Sequence, residues 1–82
     1  MPEIFRQYGF LFMFFSKEHE PIHVHVRGKN GDAKFHLVGE KFELYEAHNI
    51  KMQDLKRIER AINENTDIII KRWEEYFNRD ND

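Results

Sequence analysis

The stretch IHVHVRGKNGDAKFHLV, Ile22–Val38, decides how this chain folds. Each half alternates apolar with polar side chains, the period of a half-buried strand whose successive residues point to opposite faces. Between the halves stands GKNGD, where Asn30-Gly31 is the strongest short hairpin signal, because a type I′ turn needs positive φ at both central residues. A hairpin turning on that pair sets Val26 against Phe35 and Val24 against Leu37 on one face. On the other face His25 meets His36 and Arg27 meets Lys34. The first face is core surface, and the second is a basic, imidazole-rich strip.

Working outward, Ile4 to Tyr8 reads as a short strand, Gly9 as a turn or bulge, and FLFMFF (Phe10 to Phe15) as a strand apolar on both faces. Such a strand is either central in its sheet or a self-association surface. Pro21 opens the third strand, where its missing N–H costs least. KFELYEA, from Lys41, makes a fifth alternating strand with Phe42 and Leu44 on one face. Past Asn49 the period changes. Leu55, Ile58 and Ile62 mark one helical stripe, and Ile69, Trp73, Tyr76 and Phe77 mark another. Asn65 is a helix breaker and Thr66 an N-cap, which predicts two helices or one with a kink. The expected fold class is α+β: an antiparallel sheet of four to five strands followed by two C-terminal helices packed on one face. Residues 1–82 form a single domain, with 1–48 mainly strands, 52–78 helical and 79–82 a polar, frayed tail.

Composition bounds the function. The chain has 82 residues, no cysteine, 15% aromatics and a formal charge of −2. Disulfides and thiolate chemistry are excluded, in keeping with a reducing cytoplasm. The acidic balance gives no global attraction to nucleic acid or to an anionic membrane, so such binding needs a local patch. The run from Phe10 to Phe15 is far shorter than the roughly 20 residues of a membrane span. Glu3 and Arg6 before it do not make a signal peptide. On the helices, Lys56, Arg57, Arg60, Lys71 and Arg72 alternate with Glu59, Glu64, Glu74 and Glu75, a mixed-sign solvated surface. No phosphate-loop glycine pattern occurs.

Chemistry concentrates in the histidines. His23 and His25 share a strand face, His36 joins them from the neighbouring strand, and His19 precedes them by loop in an H-x-x-x-H-x-H pattern. Neutral imidazoles in such a group suit a divalent metal such as zinc or nickel. Equally, His23 and His25 with Arg27 and Lys34 supply the acid, base and cations of metal-free RNA cleavage. The plainest reading is of half-exposed polar positions on an amphipathic strand. Tyr45 and Trp73 each offer a stacking platform for a base or ligand, although Trp73, in register with Ile69 and Phe77, reads first as core packing.

MPEIFRQYGFLFMFFSKEHEPIHVHVRG, AKFHL, LKRIERAINEN and KRWEEYF together resemble the small prokaryotic domain-of-unknown-function family numbered forty-one sixty. Pro21, His23 and His25 match its proline-histidine-x-histidine strand opening, and Trp73 and Phe77 its terminal helix. Family members usually place the proline directly before the first histidine, where Ile22 intervenes in this chain, and an aromatic is common where His36 stands. The resemblance implies a cytoplasmic protein whose gene stands beside another small gene, as one component of a toxin-antitoxin-like pair acting through protein or RNA binding. Two expectations follow from it. One is an effector on RNA, with His23 and His25 as acid and base and Arg27 or Lys34 on phosphate. The other is a binding module that meets a small partner protein, or itself, through the Phe10–Phe15 strand or an open sheet edge.

Overall fold

The computed structural model describes residues 3–14 and 22–78, the side chains of the last two excepted. Phe15, His19, Pro21, the Phe77 side chain and the 79–82 tail, all assigned roles by the sequence, lie outside the described residues.

The type I′ turn is not at the Asn30-Gly31 pair where the sequence places it. Tyr8 and Gly9 have φ of 56° and 79°, the paired positive values of a type I′ turn, and join β1 (Glu3–Gln7) to β2 (Phe10–Met13). Among the described residues neither Asn30 nor Gly31 has positive φ. β3 (His23–Arg27) and β4 (Asp32–Val38) are instead linked by a four-residue loop, closed by the Gly28 N–H donating to the Gly31 carbonyl at 2.8 Å.

The expected register is corrected by two residues as a result. His23 opposes His36, Val24 opposes Phe35, His25 opposes Lys34, Val26 opposes Ala33 and Arg27 opposes Asp32. A tertiary contact overrides the local turn preference. Gly31 abuts the end of the fifth strand so closely that a Cβ there would overlap the carbonyl oxygens of His48 and Asn49. The Asn49 side-chain amide donates to the Asn30 carbonyl at 2.7 Å, which holds the loop down. Because the slip is even, every side chain keeps its face.

β5 (Lys41–His48) completes a five-stranded antiparallel sheet in the order β1-β2-β3-β4-β5. Its pairing with β4 runs from Val38–Lys41 to Phe35–Leu44, then resumes at Lys34–Glu46, leaving Tyr45 as the extra residue of a β-bulge. The bulge resets the alternation. Ala47 joins Ala33 on the core side, and Glu46 and His48 stay on the polar side.

β2 is an interior strand, paired on both edges, with Phe12 and Met13 buried in it and Phe14 buried just beyond its end. Phe12 stacks on Phe5 at 4.5 Å between ring centroids, while Met13 points to the other face opposite His25. Phe12, Met13 and Phe14 are thus interior packing, while Phe10 and Leu11 are half-buried.

After Asn49 come α1 (Met52–Glu64) and α2 (Thr66–Asn78), separated by one residue. Their apolar stripes, Ile58, Ala61 and Ile62 from α1 with Ile69 and Trp73 from α2, close over Phe12, Phe14, Val24, Val26, Ala33, Phe35 and Phe42 in one core. Fully burying each large side chain contributes about 1.5–3 kcal/mol, so this single cluster dominates the fold's stability. The Phe42 N–H also donates to Asn63 Oδ1 at 3.3 Å, tying β5 to α1. Thr66 does not act as the N-cap. The Asn65 carbonyl accepts the Ile69 N–H at 3.0 Å, so Asn65 begins α2. The Thr66 hydroxyl turns back to the Ile62 and Asn63 carbonyls, 3.2 Å from each, and satisfies the end of α1.

Candidate functional site

The ladder between β3 and β4 brings the strand histidines together on the sheet face away from the core. His23 stands 5.4 Å from both His25 and His36 between ring centroids, at interplanar angles of 71° and 53°. His23 is only 4% exposed. Trp73, edge-on to Phe14 at 5.3 Å, touches it at 5.6 Å, so the imidazole sits against the aromatic end of the core. The Nε2 atoms of His23 and His25 are both shielded from solvent.

Beside this group the bulge presents Tyr45. Its ring stacks on His36 at 4.2 Å and 18°, and the Lys34 ammonium lies 5.4 Å from its centroid, within cation–π range. Tyr45 is 62% exposed, so its outer surface remains available to a flat partner. Two carboxylates stand close to it in the ladder. Glu43 is the register partner of His36 and Glu46 that of Lys34, and His48 Nε2 lies 3.1 Å from Glu46 Oε2.

His23, His25, His36 and Lys34 therefore share one face, as the alternation predicts. The expected opposition of His25 to His36 and of Arg27 to Lys34 is corrected: Lys34 takes the place across from His25, and Arg27, exposed at the far end of β3, faces Asp32. As the side chains stand, no three His, Asp or Glu residues among the described residues are placed to hold a metal ion. His19, the expected fourth ligand, lies outside them. The site residue that sequence reasoning left without a fixed place is Tyr45. Its signal was the break in alternation at Tyr45-Glu46, where two residues in succession precede the next core position, Ala47.

A five-stranded antiparallel sheet with two helices over its apolar face, and an imidazole–tyrosine group on the other, defines a small α+β domain. Residues 9–74 match the family described as Domain of unknown function (DUF4160), and the chain belongs to that family. No curated protein and no solved structure matches it. Among the described residues no helix is long and apolar enough to cross a membrane.

Proposed function

We propose that this chain is one component of a toxin-antitoxin-like pair and that it binds single-stranded RNA on the polar face of its sheet. The observation that carries the reading is the exposed Tyr45 ring, backed by His36 and flanked by Lys34. Every base has a π-face, and stacking on such a platform contributes about 1–3 kcal/mol per base without demanding a sequence. A second ring beneath Tyr45 keeps the platform from tilting when a base arrives. The gene arrangement implied by the family resemblance supports the pairing with a second small protein.

Burial favours binding over cleavage. As acid and base, His23 and His25 would work with Nε2 atoms shielded from water, and His23 as a whole is almost fully buried. Arg27, one of the two expected phosphate holders, stands at the opposite end of the strand from His23. Lys34 is the cation best placed to meet a backbone phosphate beside a base stacked on Tyr45.

The test is fluorescence anisotropy of a labelled oligouridylate with wild type, Tyr45→Ala and Tyr45→Phe. Loss of one stacked base predicts weakening of about 5- to 150-fold in Tyr45→Ala, with Tyr45→Phe close to wild type. Since Glu43 and Glu46 offset the local cations, few counterions are released, and log Kd should change by no more than roughly one to two units per decade of salt. An unchanged Kd in Tyr45→Ala, or no binding at low salt, would overturn the proposal. Shortening of the RNA that disappears in His25→Ala would replace it with the ribonuclease reading.

A further inference from the structure

We propose that a cavity at one end of the sheet binds a nucleoside monophosphate. This goes beyond the RNA reading, since neither Tyr45 nor Lys34 is among the walls of that cavity and its ligand is a free mononucleotide.

The cavity is assembled from three connections that the antiparallel meander brings to the same end of the sheet. The β1–β2 hairpin supplies Tyr8 and Phe10, the β3–β4 loop supplies Lys29, and the β5–α1 corner supplies Asn49, Ile50 and Lys51. Its volume is about 290 Å³, at the small end of ligand pockets, so it admits one ring system with its anionic group and nothing much longer. The walls are tied to one another. The Asn49 amide donates to the Asn30 carbonyl at 2.7 Å, and the Phe10 ring lies where a Cβ on Gly28 would stand, so the glycine lets ring and loop close up. A site already in shape before its ligand arrives loses less freedom on binding.

Two breaches of local preference meet at this cavity. Tyr8 holds its half-exposed ring at a φ of 56°, a conformation that bulky residues rarely adopt. Lys51 occupies the N-cap of α1 without a side-chain bond to the helix, where serine, threonine or aspartate would satisfy an amide and where a cation opposes the helix dipole. Of the four residues with positive φ among the described residues, Tyr8, Gly9 and Asn49 all line the cavity. Departures of this kind persist where a function uses them.

The chemistry of the walls names the ligand. Tyr8, Phe10 and Ile50 offer flat apolar surface to a base. Lys29 and Lys51, on separate walls, suit a phosphate monoester, whose charge at pH 7 is about −1.5 to −2, better than the single charge of a carboxylate. Asp54 also lines the cavity, and Arg57 Nη1 lies 3.9 Å from its Oδ1, which offsets the carboxylate.

The test is isothermal titration calorimetry of the full-length protein with adenosine monophosphate, and with adenosine and inorganic phosphate separately. The expected result is one nucleotide per chain, with each fragment binding at least about tenfold more weakly. Affinity should fall at least about fivefold in Tyr8→Asn, the loss of one stacked base, and at least about tenfold in Lys51→Ser and in Lys29→Gln, each of which removes a charged contact to phosphate. Asparagine relieves the backbone at position 8 and serine supplies the missing cap at position 51, so both variants should melt above wild type and any loss of binding in them is not a loss of the fold. Tyr45→Ala, on the face assigned to RNA, should bind the nucleotide as wild type does. Absence of binding in wild type overturns the proposal, as does phosphate that binds as tightly as the nucleotide, or affinity that survives both Tyr8→Asn and Lys51→Ser. Binding lost in Tyr45→Ala puts the nucleotide on the sheet face and overturns it equally.

Discussion

Replacing Gly31 by alanine tests the contact that sets the register of the histidine strands. An alanine Cβ would lie 2.7 Å from the carbonyl carbon of Asn49 and closer still to the carbonyl oxygens of His48 and Asn49. All three are backbone atoms, so no side chain can swing aside. The β3–β4 loop would have to recoil by about 1 Å to reach ordinary contact distance, an overpacking that costs typically 1–3 kcal/mol. The recoil also breaks the bond from the Asn49 amide to the Asn30 carbonyl, worth about 1 kcal/mol. Together these give a loss of about 2–4 kcal/mol, a large share of the 5–15 kcal/mol of an ordinary domain. For a domain of this size the melting temperature should fall by roughly 10–25 °C. Thermal and urea unfolding followed by circular dichroism measure it directly. A change below about 0.5 kcal/mol would show that the loop is not seated on the β5–α1 corner, and the register would then need another physical cause. Gly9→Ala is the instructive comparison: it meets nothing within 4 Å, and its cost is limited to the positive-φ strain of roughly 1–2 kcal/mol.

Other substitutions probe the remaining structural claims. Tyr8→Asn should raise the urea midpoint by the equivalent of about 0.5–1 kcal/mol, because asparagine tolerates the φ of 56° that Tyr8 adopts in the type I′ turn and Tyr8 is already half exposed. Ile62→Ala should cost about 2–5 kcal/mol by leaving a hole in the core, whereas Ile68→Ala, on a side chain 47% exposed, should stay within about 0.5 kcal/mol in the same assay.

The two halves of the fold are legible in the sequence for different reasons. Period-two alternation assigns Val24, Val26 and Phe35 to the core face correctly despite a mistaken register, since a slip of two residues leaves every side chain on its side of the sheet. The helical stripes name Ile58, Ile62, Ile69 and Trp73, and all are buried. What local pattern cannot show is which dipeptide will turn. Tyr8-Gly9 lacks the asparagine that marks a type I′ turn, and Asn30-Gly31 has it, yet β5 presses against Gly31 and settles the matter from a distance. Thr66 departs from its expected capping role for a similar reason: with only Asn65 between the helices, its hydroxyl finds the open carbonyls of α1 within reach. The candidate site follows suit. The shared face of His23, His25, His36 and Lys34 is a matter of parity, which a sequence displays. Their spacing, and the arrival of Tyr45 on His36, depend on a bulge and a register that only the assembled sheet defines.

The Tyr45 bulge also bears on how this protein survives at high concentration. β5 is an end strand of the sheet, eight residues long, with Leu44 half exposed. A flat strand of that length would serve as a template on which other chains could dock edge to edge and grow into fibres. An inserted residue kinks the backbone and sharpens its twist, so the row of amides and carbonyls no longer matches a straight newcomer. The same irregularity that displays an aromatic ring thus spoils the strand as a seed for aggregation.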